Sequence, residues 1–237
     1  MSTESSPLAG PNVLTVLRGA VDAVRSSPIL LGLFFVSGVL RYLLPPFIDS
    51  AVRLLVIIIG VAVAYQALDG RTRTDAPFVF RLFMAFLATL ASYLLLLVGI
   101  AALVVPGVFR WVGLLVIVPG GIYVYTRLAL STPAAMVDGY GPAEALSVSW
   151  QLMRGSILAT AFAIVLVSVG GVLVLVPPLL LVRSSFVVNV GGTLIVDTFL
   201  AGMQAFLYQN LVETSEPPAP GDVETESHGV LDRLLPG

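Results

Sequence analysis

From Ile157 to Val182 the chain places no charged side chain, a stretch longer than the roughly 20 apolar residues that cross a bilayer. Few folds accept such a run. It is too long for a strand, and it leaves no solvated helix face. In water it would join other apolar surface and drive association. Several further runs resemble it, and 57% of all residues are hydrophobic while 11% are charged, less than half of the roughly 25% usual in soluble domains. The chain reads as an all-α polytopic membrane protein of the cell membrane.

The runs divide into six expected transmembrane helices: Pro28–Leu44, Ala51–Leu68, Phe78–Val105, Val108–Leu130, Ile157–Val182 and Val190–Leu211. Proline pairs or Pro-Gly and Asp-Gly steps stand at or near several of the ends, where a helix loses a donor or needs a turn. Short amphipathic helices are expected to lie in the membrane interface before the first and fifth spans. In the first, Asn12 is a candidate N-cap, and Leu14, Leu17, Val21 and Val24 recur at helical spacing. Residues 1–11 and the acidic tail 213–237 read as disordered, leaving one membrane domain over 12–212. The tail holds His228 and a small apolar knot, VLDRLLP.

The fourth span contains Pro119, Gly120 and Gly121, so a kink or break is expected there. Two uses fit such a break: unwound backbone that coordinates ions, as in transporters, or small residues that let helices pack closely.

Polar residues inside the apolar runs are few. Asp197 falls within the sixth span, where a carboxylate needs a partner or water. It fits a proton or ion relay, an ion pair with Arg53 or Arg183, or a shallow position near the outer surface. Gln204 lies two turns further on in the same span. The chain has no Cys and a single His, and no cluster has metal-ligand spacing. No phosphate-binding glycine loop, nucleophile elbow or nucleophile–base pair is visible, so no catalytic, cofactor-binding or metal-binding residue is assigned. A net charge of −2 without a dense basic patch argues against nucleic acid and leaves membrane lipids, a membrane-protein partner or a second copy as partners.

Between the fourth and fifth spans runs PGGIYVYTRLALSTPAAMVDGYGPAEALSVSWQLMRG. Pro142 suits the first helical position, and Glu144 suits the positive end of the same helix. Leu146, Trp150 and Met153 fall on one face, with Trp150 suited to the headgroup belt. Arg127 and Arg154 bracket the connector and are candidates for lipid phosphate or for the loop carboxylates Asp138 and Glu144.

All strongly basic residues are Arg. With six spans, Arg18, Arg25, Arg71, Arg73, Arg81, Arg127, Arg154 and Arg233 fall on one side, and Arg41, Arg53, Arg110 and Arg183 on the other. The side richer in arginine is cytoplasmic by the positive-inside rule, which puts both termini in the cytoplasm. Residues 23–47 also echo 152–180, each with an amphipathic lead-in, an Arg-Ser or Arg-Gly-Ser junction, an apolar span and a Pro-Pro step. That pattern suggests a duplicated unit, 12–69 and 141–212.

The Pro119–Gly155 stretch resembles a signature of the membrane region attached to some bacterial glycerophosphodiester phosphodiesterases and of related stand-alone membrane proteins of archaea and bacteria. The matching positions are Arg127, Pro133, Asp138, Ala145-Leu146, Ser149-Trp150 and Gly155. The likeness is sharp over this stretch and looser through the later spans, and the Lys-free composition is similar to that of haloarchaeal proteins. The resemblance implies a polytopic membrane region without the soluble phosphodiesterase activity. The expected role is a non-enzymatic scaffold or lipid-associating module; a small-solute or lipid transporter is the alternative, and an intramembrane lipid-processing enzyme has the least support.

Overall fold

A computed structural model describes residues 11–68, 70, 74–101, 120–182 and 185–214. The expected disordered ends lie almost wholly outside these residues. So do His228, Pro119, the first half of the expected fourth span, and Arg71, Arg73, Arg110, Arg183 and Arg233. The described chain is helical: α1 Val13–Ser26, α2 Pro28–Leu43, α3 Pro46–Ala67, α4 Phe78–Ala101, α5 over residues 120–128, α6 Pro142–Leu152, α7 Ile157–Val182, α8 Ser185–Gly192 and α9 Thr198–Thr214. Two five-residue π-helical turns interrupt the regular winding, Ala134–Asp138 after a short helical turn at Ser131–Pro133, and Thr193–Asp197 between α8 and α9.

The expectation of six transmembrane helices is not met. Among the described residues, two helices are long and apolar enough to cross a membrane, Ile48–Ala67 and Asn189–Thr214, or up to four if each of two bent pairs forms one span. The bent pairs are α1 with α2, at 88°, and Pro142–Gly155 with Ile157–Gly171, at 98°. The physical reason is local. Pro28 opens α2 and holds Ser27 in an extended conformation (φ −133°, ψ 89°), since the proline ring disfavours a helical residue before it. Ser156, at φ −121° and ψ 6°, makes the second corner. Both corners fall where the sequence placed the junction of lead-in helix and span. At 16 residues, α2 reaches only about 24 Å, less than the roughly 30 Å hydrocarbon core.

Both amphipathic lead-in helices are present, with Asn12 capping α1 through its Oδ1, which accepts from the Thr15 amide at 2.9 Å. In α1, Val16, Gly19, Ala20 and Ala23 are buried while Leu14 is 64% exposed; in α6 the buried face is Ala145, Val148, Ser149 and Leu152.

Small residues set the helix packing. Helix α1 lies along α9, where a Cβ added at Gly202 would stand 3.0 Å from the Ala20 carbonyl oxygen. Helix α2 crosses α8 so closely that a Cβ at Gly38 would meet Val190 Cα at 2.7 Å. Lipid offers apolar side chains no gain from leaving water, so close backbone contact of this kind supplies the dispersion energy that holds membrane helices together. Helix α3 runs against α9, α2 and α4. Phe34, Ile58, Met203, Leu207 and Tyr208 fill the space between. Ile29, Val36, Leu43, Val79, Leu158 and Leu173 stay exposed on the outside, the surface expected of a protein solvated by acyl chains.

A polar cavity beside an intramembrane ion pair

Each π-helical turn ends on a buried aspartate. A π turn adds a residue to the winding and redirects the helix beyond it, and such turns concentrate where a side chain must be aimed. The Thr193–Asp197 turn presents Asp197 to α3, where the Arg53 guanidinium grips it in a fork: Nε donates to Oδ2 at 3.0 Å and Nη2 to Oδ1 at 2.7 Å. Asp197 is 2% exposed and the Arg53 side chain 39%. Burying that carboxylate without a partner would demand its protonation or a large penalty, and the bidentate arginine supplies the best-matched countercharge. Asp49, the other acid near the start of α3, pairs instead with Arg41 at 3.5 Å.

Beside the pair opens a cavity of about 90 Å³, walled by α3, α4, α5, the Ser131-Thr132 turn and α9. Arg53 and Asp197 form one side. Thr89, Ser92 and Tyr93 come from α4, Tyr125 from α5, and Gln204 from α9. The hydroxyls meet in cross-links: Thr89 Oγ1 stands 2.8 Å from Thr132 Oγ1, and Ser92 Oγ 3.1 Å from Ser131 Oγ. Three of them also donate to backbone carbonyls, Thr89 to Ala85 at 2.6 Å, Ser92 to Ala88 at 2.9 Å and Ser131 to Leu128 at 2.7 Å. Gln204 is 8% exposed, and its Oε1 is buried without a hydrogen-bond partner.

The Ala134–Asp138 turn aims the second aspartate. Its last residue, Asp138, accepts a hydrogen bond from the Tyr208 hydroxyl of α9, and the chain then turns through Gly139 at φ +77°, a left-handed conformation that glycine adopts without strain. Glu144 closes a capping box by accepting from the Gly141 amide at 3.2 Å. Neither acid meets Arg127 or Arg154.

Arg127 is spent on the protein itself. Its Nη1 donates to the Trp150 carbonyl at 2.6 Å, and Nε and Nη2 donate to the Tyr123 hydroxyl at 3.2 and 3.0 Å. The guanidinium carbon lies 4.9 Å from the Trp150 ring centre and 5.3 Å from that of Tyr123. Ser149 completes the joint between α5 and α6, donating to the Arg127 carbonyl at 2.7 Å and accepting from the Leu130 amide at 3.0 Å. Arg154, in the turn after α6, and Trp150, 37% exposed, are among the connector side chains that face outward.

The structure thus gathers Arg53, Asp197 and Gln204 at one cavity, ties Arg127 to Trp150, and holds Asp138, Glu144 and Arg154 apart from it. Gly120 and Gly121 begin the helical stretch of α5 and do not line the cavity. Sequence reasoning missed the hydroxyl lining. Its signal was present: Thr89 and Ser92 at i, i+3 within an apolar run, and the adjacent Ser131-Thr132. Among the described residues no three His, Cys, Asp or Glu side chains converge. The chain is a helical membrane protein; comparison with known protein families, curated proteins and solved structures gave no match.

Proposed function

We propose that the protein is a small-solute permease whose solute occupies the cavity beside Arg53 and Asp197. The observation that carries this reading is the polar lining itself. Hydroxyl side chains, one amide and an ion pair surround a space that adjoins both membrane-length helices, α3 and α9, and ionisable groups inside a membrane domain mark solute or ion pathways. Gln204 lies near the middle of Asn189–Thr214, where transporter sites lie.

The scaffold or lipid-associating reading is second, supported by the outward-facing Trp150 and Arg154, a pair suited to headgroups. The phosphodiesterase resemblance of the connector belongs to this reading too, because it concerns a membrane region rather than a catalytic one. For the orientation, the connectors around Thr74 and Gly139 share one end of the molecule, since a Cβ at Gly139 would meet Thr74 at 3.0 Å; we take that end as cytoplasmic.

The test is reconstitution of the purified chain into liposomes, with solute entry after an osmotic jump followed by stopped-flow light scattering. Entry of at least one small solute faster than into protein-free liposomes is expected. Equal rates for neutral, cationic and anionic solutes alike would sink the proposal.

A further inference from the structure

We infer that the solute is small and uncharged and carries both hydrogen-bond donors and an acceptor, an amide of the urea type. The inference rests on the permease reading and narrows it. Charge is the first constraint. Both oxygens of Asp197 are occupied by Arg53, so no free carboxylate awaits a cation, and an anion would have to pull Arg53 from a fork that already satisfies it. The pair makes one wall of the cavity polar while leaving it neutral.

Size is the second. A cavity of about 150 Å³ holds benzene with its six carbons, so a cavity of about 90 Å³ suits about four non-hydrogen atoms.

Hydrogen-bond sense is the third. The Thr89 proton can go to the Ala85 carbonyl at 2.6 Å, and one of Ser92 and Ser131 can donate to its backbone carbonyl, at 2.9 or 2.7 Å, while the other donates across their 3.1 Å contact. With the Thr89 proton so placed, Thr132 is the donor across their 2.8 Å contact. These oxygens therefore offer lone pairs more than protons, as each hydroxyl has one hydrogen and two acceptor sites. Gln204 brings a side-chain amide, with both a donor and an acceptor group, to the cavity lining. On the other side Arg53 spends Nε and Nη2 on Asp197, which leaves Nη1 for a carbonyl oxygen. With the Tyr93 and Tyr125 hydroxyls also on the lining, donors and acceptors face the solute together, which fits a molecule that carries both N–H groups and a C=O.

Urea, acetamide, guanidinium and nitrate have the same number of non-hydrogen atoms and differ in charge, which makes them the probes. In the liposome assay, urea and acetamide are expected to enter through the wild-type protein, with guanidinium and nitrate at least about tenfold slower. Gln204→Leu is expected to slow urea about tenfold, the effect of one lost hydrogen bond to a bound solute. Thr132→Val, nearly isosteric, provides a second variant should Gln204→Leu not give a monodisperse helical protein. Guanidinium or nitrate entering as fast as urea would overturn the neutral-solute inference while keeping the permease. Urea flux unchanged in both variants would overturn the assignment of this cavity. Water permeation without any solute would overturn the solute class, and no permeation at all would remove the permease reading with it.

Discussion

Arg53 and Asp197 stand 144 residues apart in the chain and meet through two hydrogen bonds of 2.7 and 3.0 Å, the one buried ion pair that joins α3 to the turn before α9 among the described residues. Removing one partner of a buried pair costs about 3–5 kcal/mol, whereas removing both in favour of apolar groups is often neutral. Arg53 keeps partial access to the cavity, so Asp197→Ala is expected to lose about 2–3 kcal/mol. Arg53→Met combined with Asp197→Leu is expected to recover at least half of it. Thermal unfolding in detergent measures both, and simple additivity of the two single changes would show that the residues are not coupled.

Tyr208 and Asp138 tie α9 to the connector. Tyr208→Phe leaves the ring in place and removes the hydroxyl that Asp138 accepts from, a loss of about 1–2 kcal/mol. The loosening is expected to be local. Hydrogen exchange should rise over residues 134–141 and stay unchanged over α1, and uniform acceleration would contradict a local tie.

Arg127→Lys should destabilise the joint between α5 and α6 despite keeping the charge. An ammonium cannot reproduce the planar fork to the Trp150 carbonyl and Tyr123 hydroxyl or the stacking on both rings, and about 2 kcal/mol is expected to be lost. A melting temperature equal to that of wild type would show that charge alone matters there.

How much of this was legible in the sequence differs by level. The apolar runs announced membrane helices, and Asn12, Pro28 and Glu144 marked helix starts, because those signals act within one turn of chain. The number of crossings was misread because apolar composition does not report helix length: α2 has only 16 residues, short of a bilayer crossing. The lead-in helices were expected to give their larger apolar residues to lipid. In α1 the fold leaves Leu14 exposed and buries the small residues Gly19, Ala20 and Ala23, which allow close backbone approach. Asp197 stood out as an intramembrane acid, with Arg53 among its candidate partners. Which arginine it meets depends on a π turn at Thr193–Asp197, and no residue in TLIVD signals one.

Orientation is open to direct chemistry because the chain has no cysteine of its own. Asp75→Cys and Ala143→Cys are expected to react with an impermeant maleimide from the cytoplasmic side, and Asn189→Cys from the opposite side. Labelling of all three from one side would contradict the proposed arrangement.

The central claim is that polar solutes reach the cavity beside Arg53 and Asp197. Ser131→Cys tests it most directly, since the sulfur replaces a hydroxyl that lines that cavity while the residue is otherwise buried. Iodoacetamide, a neutral amide of about five non-hydrogen atoms, should modify Ser131→Cys in liposomes, should be slowed by added urea, and should leave the lipid-facing Leu166→Cys unmodified. Leu166→Cys reacting as readily as Ser131→Cys, or Ser131→Cys not reacting at all, would contradict it.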